Sequence, residues 1–184
     1  MAHVPVLEPE ISPNFVGLPL DLSGLALPPH LGFSYTKKPE FHLTLIGNGH
    51  HFVESVASCT RSDRDRAKDV STHACRTAIQ GISFQVSIEP QFFRVEKAYQ
   101  NPDHRRISIV ALCKVDMSQD FYRLLQTTIP GVVVEPPPFH VTLYTHDDEM
   151  SRKGIGITNS AEFERNAVNI TMSPFAKMLS TIIR

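Results

Sequence analysis

The clearest pattern along the chain is a short alternation of apolar and polar residues that occurs twice. It reads Phe41-His42-Leu43-Thr44-Leu45 in the first half and Phe139-His140-Val141-Thr142-Leu143 in the second. Successive side chains of a strand point to opposite faces. Each segment is therefore predicted to be a strand with Phe and two aliphatic residues towards a core. His42 and Thr44, and equally His140 and Thr142, share the other face. Two such strands facing each other would gather two imidazoles and two hydroxyls on one surface.

The remaining pattern predicts the framework around these strands. The proline-rich stretch 1–13 is expected to be an irregular surface segment. Residues 14–20 form a candidate first strand, which Pro19 pushes towards an edge or an end. Pro28, Pro29 and Pro39 oppose a long helix over 23–39. Gly47-Asn48-Gly49 ends the first histidine strand in a turn. From His50 to Gln80 the apolar spacing is helical, as one broken helix or two. Phe52, Val53, Val56 and Cys59 form one stripe, and Ala67, Val70, Ala74 and Ala78 another. Ser62-Asp63 between them is a cap signal. The alternation Ile82, Phe84, Val86, Ile88 predicts a half-buried strand stopped by Pro90, with Gln91 to Tyr99 as its partner. Asn101-Pro102-Asp103 reads as a turn. Ile107 to Cys113 is apolar at nearly every position, as in a central strand covered on both faces. A helix is predicted from Ser118 through Phe121, Leu124, Leu125 and Thr128, closed by Gly131. Val132-Val133-Val134 predicts a short strand. Pro136-Pro137-Pro138 gives an extended entry into the second histidine strand, and Ala167 to Met172 a last strand.

Composition narrows the class. A chain of 184 residues, 41% hydrophobic, fits one domain over 1–184 with its own core. The net charge of −1 gives no reason to expect binding along a long nucleic-acid backbone, though it leaves room for a local basic cleft. The mixed charges from Arg61 to Asp69 are expected to solvate a helix face. Cys59, Cys75 and Cys113 are odd in number and lack metal-type spacing, which suggests buried thiols in a reducing compartment. No apolar run approaches a membrane span, and the N-terminus lacks a signal-peptide pattern. The expectation is a soluble cytoplasmic protein.

The paired His-x-Thr segments resemble those of the two-histidine (2H) phosphoesterases, which include the bacterial 2′-5′ RNA ligase-like proteins and cyclic nucleotide phosphodiesterases. The likeness also rests on Phe15-Val16-Gly17-Leu18-Pro19, Ile107 to Cys113 and Phe121-Tyr122-Arg123-Leu124-Leu125, which follow in the family's order. It covers residues 14–146 and, more weakly, the tail. It implies an α+β fold of two lobes, with pseudo-twofold antiparallel sheets, helices outside, and a central cleft bearing both motifs. It further implies a metal-independent phosphodiesterase without cofactor, acting as a monomer. Its substrate would be a 2′,3′-cyclic phosphate, another cyclic nucleotide, a short or cyclic oligonucleotide, or an RNA end. Two departures stand out. The stretch Leu25 to Pro39 occupies the place where many relatives have a helix, and Tyr144 stands where ligase-like members often carry arginine.

The residues suit that chemistry. An imidazole with an ordinary pKa of about 6.5 can serve as base when neutral and as acid when protonated. His42 and His140 could split these roles, in an order that the sequence leaves open. Thr44 and Thr142 could donate to the non-bridging phosphate oxygens, where charge builds in the transition state. Tyr144 falls on the cleft face by parity, either contacting a base or lining a wall. Gly154 and Gly156 form a weak Gly-x-Gly signal, and Arg105 and Arg106 read as a solvated turn. His50, His51, His73 and His104 lack metal-site spacing. The alternatives are an RNA- or nucleotide-binding module with the same cleft and no turnover and, ranked last, a metalloprotein.

Overall fold

The computed structural model describes residues 1–13, 15–32, 34–98, 105–146 and 155–183. These residues form an α+β fold of ten strands and five helices. The strands are β1 (Ala2–Val4), β2 (Glu10–Ser12), β3 (Phe15–Pro19), β4 (His30–Leu31), β5 (Tyr35–Lys37), β6 (His42–Ile46), β7 (Gln85–Ala98), β8 (Arg105–Asp116), β9 (His140–His146) and β10 (Ala167–Asn169). The helices are α1 (Gly49–Thr60), α2 (Arg64–Gln80), α3 (Ser118–Thr128), α4 (Ser160–Asn166) and α5 (Pro174–Ile182). One antiparallel sheet runs in the order β1-β7-β8-β9-β6-β3-β2, with β10 on β7 and the β4–β5 pair joined to β9. Val141 pairs with both Ala111 of β8 and Leu43 of β6, so these neighbours lie on opposite edges of β9. Further along, Tyr144 pairs with Ile109 of β8 and Lys37 of β5. Strands β6 and β5 thus share one edge of β9 in succession.

The apolar side of the motif strands builds the main core. Leu43, Leu45, Val141 and Leu143 are fully buried in one cluster with Phe52 and Val56 of α1 and Phe121 and Leu125 of α3. The helices form where their apolar stripes predict, and local caps set their ends. The Asn48 side chain accepts from the His51 amide at the start of α1. Asp63 accepts from the Arg66 amide at 2.9 Å and starts α2, satisfying a donor that the helix itself cannot. A smaller core of Val95, Val110, Ile155, Ile157 and Phe163 stands apart from the first. With cores on both sides, β8 is a doubly covered strand, as its unbroken apolar run predicts.

Several elements differ from expectation. The segment 1–13 is not wholly irregular: β1 pairs with β7 and β2 with β3, and prolines 5, 9 and 13 fall between or after these short strands. Pro90 does not stop β7. The strand continues to Ala98, with Pro90 inside the irregularity between Ile88 and Phe92. A bulge tolerates a residue that cannot donate to the ladder. Residues 91–98 therefore extend the same strand, and 92–98 pair with β8. Val132–Val134 form no strand; Val132 is buried in the main core and the Val133 amide donates to the Ser55 hydroxyl. The last strand is cut to Ala167–Asn169, and α4 and α5 flank it. Both helices carry start signals, Asn159 with Glu162 and Ser173 with Pro174. Cys75 and Cys113 are buried, their thiols pushed up to about 12 by desolvation, but Cys59 is exposed. The turn expected at Asn101-Pro102-Asp103 lies outside the described residues. Among those described, no helix is long and apolar enough to cross a membrane.

Helix α3 is tied to the first motif strand by one buried bond, from the Tyr122 hydroxyl to the Leu45 carbonyl at 2.8 Å. Tyr122→Phe keeps the ring and strands that carbonyl. The expected result is a loss of about 1–3 kcal/mol of unfolding free energy, read from urea denaturation with an unchanged m-value.

Candidate active site

The two motif strands are neighbours, and their register sets the site. Leu43 pairs with Val141 in the antiparallel β6–β9 ladder. One step to either side puts His42 across from Thr142, and Thr44 across from His140. All four side chains lie on the face opposite the main core. They line a single cleft of about 150 Å³, together with Phe15, Lys38, Glu40, Gly47 and residues 155–157. Sites for whole small molecules usually span about 300–1,000 Å³, so this cleft matches one compact group of a ligand.

An irregularity follows the threonine in each motif strand. In β6, Thr44 pairs with Gly17 and Ile46 with the adjacent Val16, leaving Leu45 as an extra residue. In β9, Thr142 pairs with Val110 and Tyr144 with the adjacent Ile109, leaving Leu143 extra. Such a bulge resets the alternation. This corrects the expectation for Tyr144, which does not reach the cleft. It is fully buried in the main core beside Leu143, and its hydroxyl donates to the Pro28 carbonyl at 3.0 Å. Burial pushes that hydroxyl up to about 12. A strictly alternating reading of the sequence has no means of registering the extra residue.

The two imidazoles have different surroundings. Nδ1 of His140 lies 2.7 Å from the Pro138 carbonyl oxygen. A carbonyl only accepts, so Nδ1 carries the proton and Nε2 holds the lone pair of the neutral ring. Burial lowers the His140 pKa, and the charge on His42 lowers it further, while the Pro138 bond opposes the shift. The His140 ring centroid is 6.0 Å from that of Phe163. His42 sits at the mouth, edge-on to Phe15 with centroids 5.7 Å apart. Desolvation lowers its pKa first and the Lys38 charge second, while Glu10 and Glu40 favour the imidazolium. Among the described residues, no cluster of three His, Cys, Asp or Glu side chains could hold a metal ion.

Residues 155–157 close one side of the cleft, a role that only the weak Gly-x-Gly signal foreshadowed; Gly154 lies outside the described residues. Ile155 and Ile157 are buried in the smaller core. The Lys97 ammonium donates to the Gly156 carbonyl at 2.9 Å and pairs with Glu162. Glu162 also accepts from the backbone amide and the hydroxyl of Thr158, both at 2.8 Å. Gly47 lets this wall approach, since a Cβ there would stand 3.0 Å from the Ile157 carbonyl oxygen. Lys38 and Glu40 carry no sequence signal, and Phe15 reads from the sequence only as part of the first strand. They come to the cleft through tertiary pairing, Phe15 from β3 and the other two from the residues just before β6. Arg105 and Arg106 are absent from the cleft lining and lie within β8, where Arg105 pairs with Glu96 at 2.8 Å. No family model, no curated protein and no solved structure matches this chain.

Proposed function

We propose that the protein is a two-histidine phosphodiesterase hydrolysing a cyclic phosphate or a short nucleotide phosphodiester without a metal. The observation that carries this reading is the meeting of His42, Thr44, His140 and Thr142 in one phosphate-sized cleft. Pure binding of an anion has no need of two proton-transfer groups. The pseudo-twofold, two-lobed arrangement belongs to the same reading. It is supported by the like placement of a bulge after each threonine, in β6 against β3 and in β9 against β8.

In this mechanism the phosphoryl group lies between the imidazoles, with Thr44 and Thr142 donating to its non-bridging oxygens. Nε2 of His140 accepts a proton from the attacking water as the new P–O bond forms. The opposite P–O bond breaks, and the leaving oxygen takes a proton from His42. The tautomer held by Pro138 suits His140 to the base role. His42 is then the acid; burial and the Lys38 charge lower its pKa and Glu10 and Glu40 only partly oppose them, so it holds its proton best on the acid side of the imidazole range. A linear diester gives a phosphate monoester and an alcohol, and a cyclic phosphate opens to one molecule that carries both groups. The two rings have then exchanged protonation states, and solvent restores them.

The direct test is a hydrolysis screen with EDTA present, over 2′,3′-cyclic nucleotides, 2′-5′ and 3′-5′ oligonucleotides and cyclic dinucleotides. Turnover of at least one class is expected. Binding without turnover would favour the non-catalytic module, and activity restored only by added metal would favour a metal mechanism.

His42→Ala and His140→Ala should each lower kcat/KM by about 10²–10⁴-fold. Circular dichroism and Tm should barely change, because neither ring belongs to the main core. Thr44→Val and Thr142→Val keep the β-branched shape and remove only the hydroxyl. Each should cost about 10²-fold in kcat, the typical loss for one transition-state donor; unchanged kinetics in both would remove the threonines from the mechanism.

The pH profile follows from the two shifts. The base must be neutral, so activity falls as the pH drops through its pKa. The acid must be protonated, so activity falls as the pH rises through the other. Burial lowers both rings. The bell of kcat/KM should therefore centre below the ordinary imidazole pKa of about 6.5, with limbs that belong to the coupled pair. A bound phosphate anion favours both imidazolium forms, so the kcat bell should lie at higher pH than the kcat/KM bell. Steady-state kinetics across pH checks both statements.

A further inference from the structure

The small cleft adjoins a larger groove of about 710 Å³. Lys38, Glu40 and His42 line both spaces, so His42 stands on the boundary between them. The groove is walled by the proline-rich stretch before β6, and that wall is tied down rather than loose. The Pro28 carbonyl accepts from the buried Tyr144 hydroxyl, the Pro29 carbonyl accepts from the Lys37 amide at 2.8 Å, and the Leu25 amide donates to the Leu22 carbonyl. Leu7, Leu25 and Phe41 give the groove apolar surface, while Asp21, Ser23 and Lys37 supply polar groups.

We propose that this groove seats a single nucleoside, the one carried on the leaving oxygen. The inference rests on the two-histidine reading above. If His42 protonates the leaving oxygen, the group attached to that oxygen extends to the His42 side of the phosphate, and that side is the groove. Size agrees: the cleft fits a phosphoryl group, whereas the groove has the volume of a small-molecule site. Surface chemistry agrees as well. A base offers apolar faces and an edge of hydrogen-bond donors and acceptors, which match Leu7, Leu25 and Phe41 beside Asp21, Ser23 and Lys37. Charge excludes a longer nucleic acid from this path. A polynucleotide needs a row of cations for its phosphates. Here Lys37 and Lys38 are offset by Glu10, Asp21 and Glu40. The substrate class is thus a mononucleoside cyclic phosphate, or a diester with one nucleoside on the leaving side.

The test is isothermal titration calorimetry of the full chain with adenosine 2′-monophosphate and with ribose 5-phosphate, which lacks the base. Stacking and burial of a base should make the nucleotide bind at least about 10-fold tighter. Ser23→Trp fills the groove and Leu7→Asp removes apolar wall; both positions are exposed, so folding should survive. In each variant the nucleotide's advantage over the sugar phosphate should shrink to about 2-fold or less. Equal affinities in the wild type, or a full advantage kept in both variants, would overturn the groove, even if cyclic nucleotides are hydrolysed. A nucleotide advantage that both variants lose, in a protein that hydrolyses none of the screened diesters, would support the groove and sink the hydrolase reading instead.

Discussion

The pairing of β6 with β9 at Leu43 and Val141 is the constraint on which the remainder depends. Neighbouring strands sit about 4.7–4.9 Å apart, so one ladder contact fixes both spacing and facing for two segments from opposite halves of the chain. On one side it brings Leu43 and Val141 into the core under the helices. On the other it sets each histidine across from the threonine of the other motif. Polar positions and packing positions are thereby decided by the same hydrogen-bond register. Shifting that register by one residue would expose Leu43 and Val141 and bury the imidazoles together.

The second support of the site is not local to the motifs. The wall at 155–157 is held by two isoleucines in the smaller core and by the Lys97–Glu162 pair. These residues come from β7, α4 and the segment before it, and none carries reactive chemistry of its own. Their effect is to narrow the space over β6 and β9 from one side. Burial is the first cause of the lowered pKa of both histidines, and His140 has Phe163 of that smaller core beside its ring, so the environment of this ring depends on packing that lies outside the motifs.

Much of this was legible in the sequence, for identifiable reasons. The His-x-Thr strands alternate cleanly, α1 and α2 carry long stripes divided by Asp63, and β8 is apolar throughout; period and capping are local properties. What was not legible is what tertiary contact decides. Pro90 looks like a stop until β8 is there to continue pairing past the bulge. The short strands β1 and β2 exist because β7 and β3 offer them edges. Cys59 lies on the apolar stripe of α1 yet ends exposed near the helix terminus. Counting in twos places Tyr144 in the cleft, and the count fails at Leu143. Phe15, Lys38 and Glu40 have no motif to announce them.

The two extra residues, Leu45 and Leu143, carry a consequence for how the chain tolerates changes in length. Each strand has one parity up to its threonine and the other after it. Removing either leucine would straighten the ladder and join two halves with incompatible faces. Either His and Thr would turn inward, or the residues beyond, Ile46 or Tyr144 with its bond to Pro28, would turn outward. Substitution at these leucines changes only how the core is filled, whereas a one-residue deletion forces the chain to give up either its core or its cleft. Insertions and deletions in this protein should therefore be accommodated in its loops and excluded from the few residues that follow each histidine.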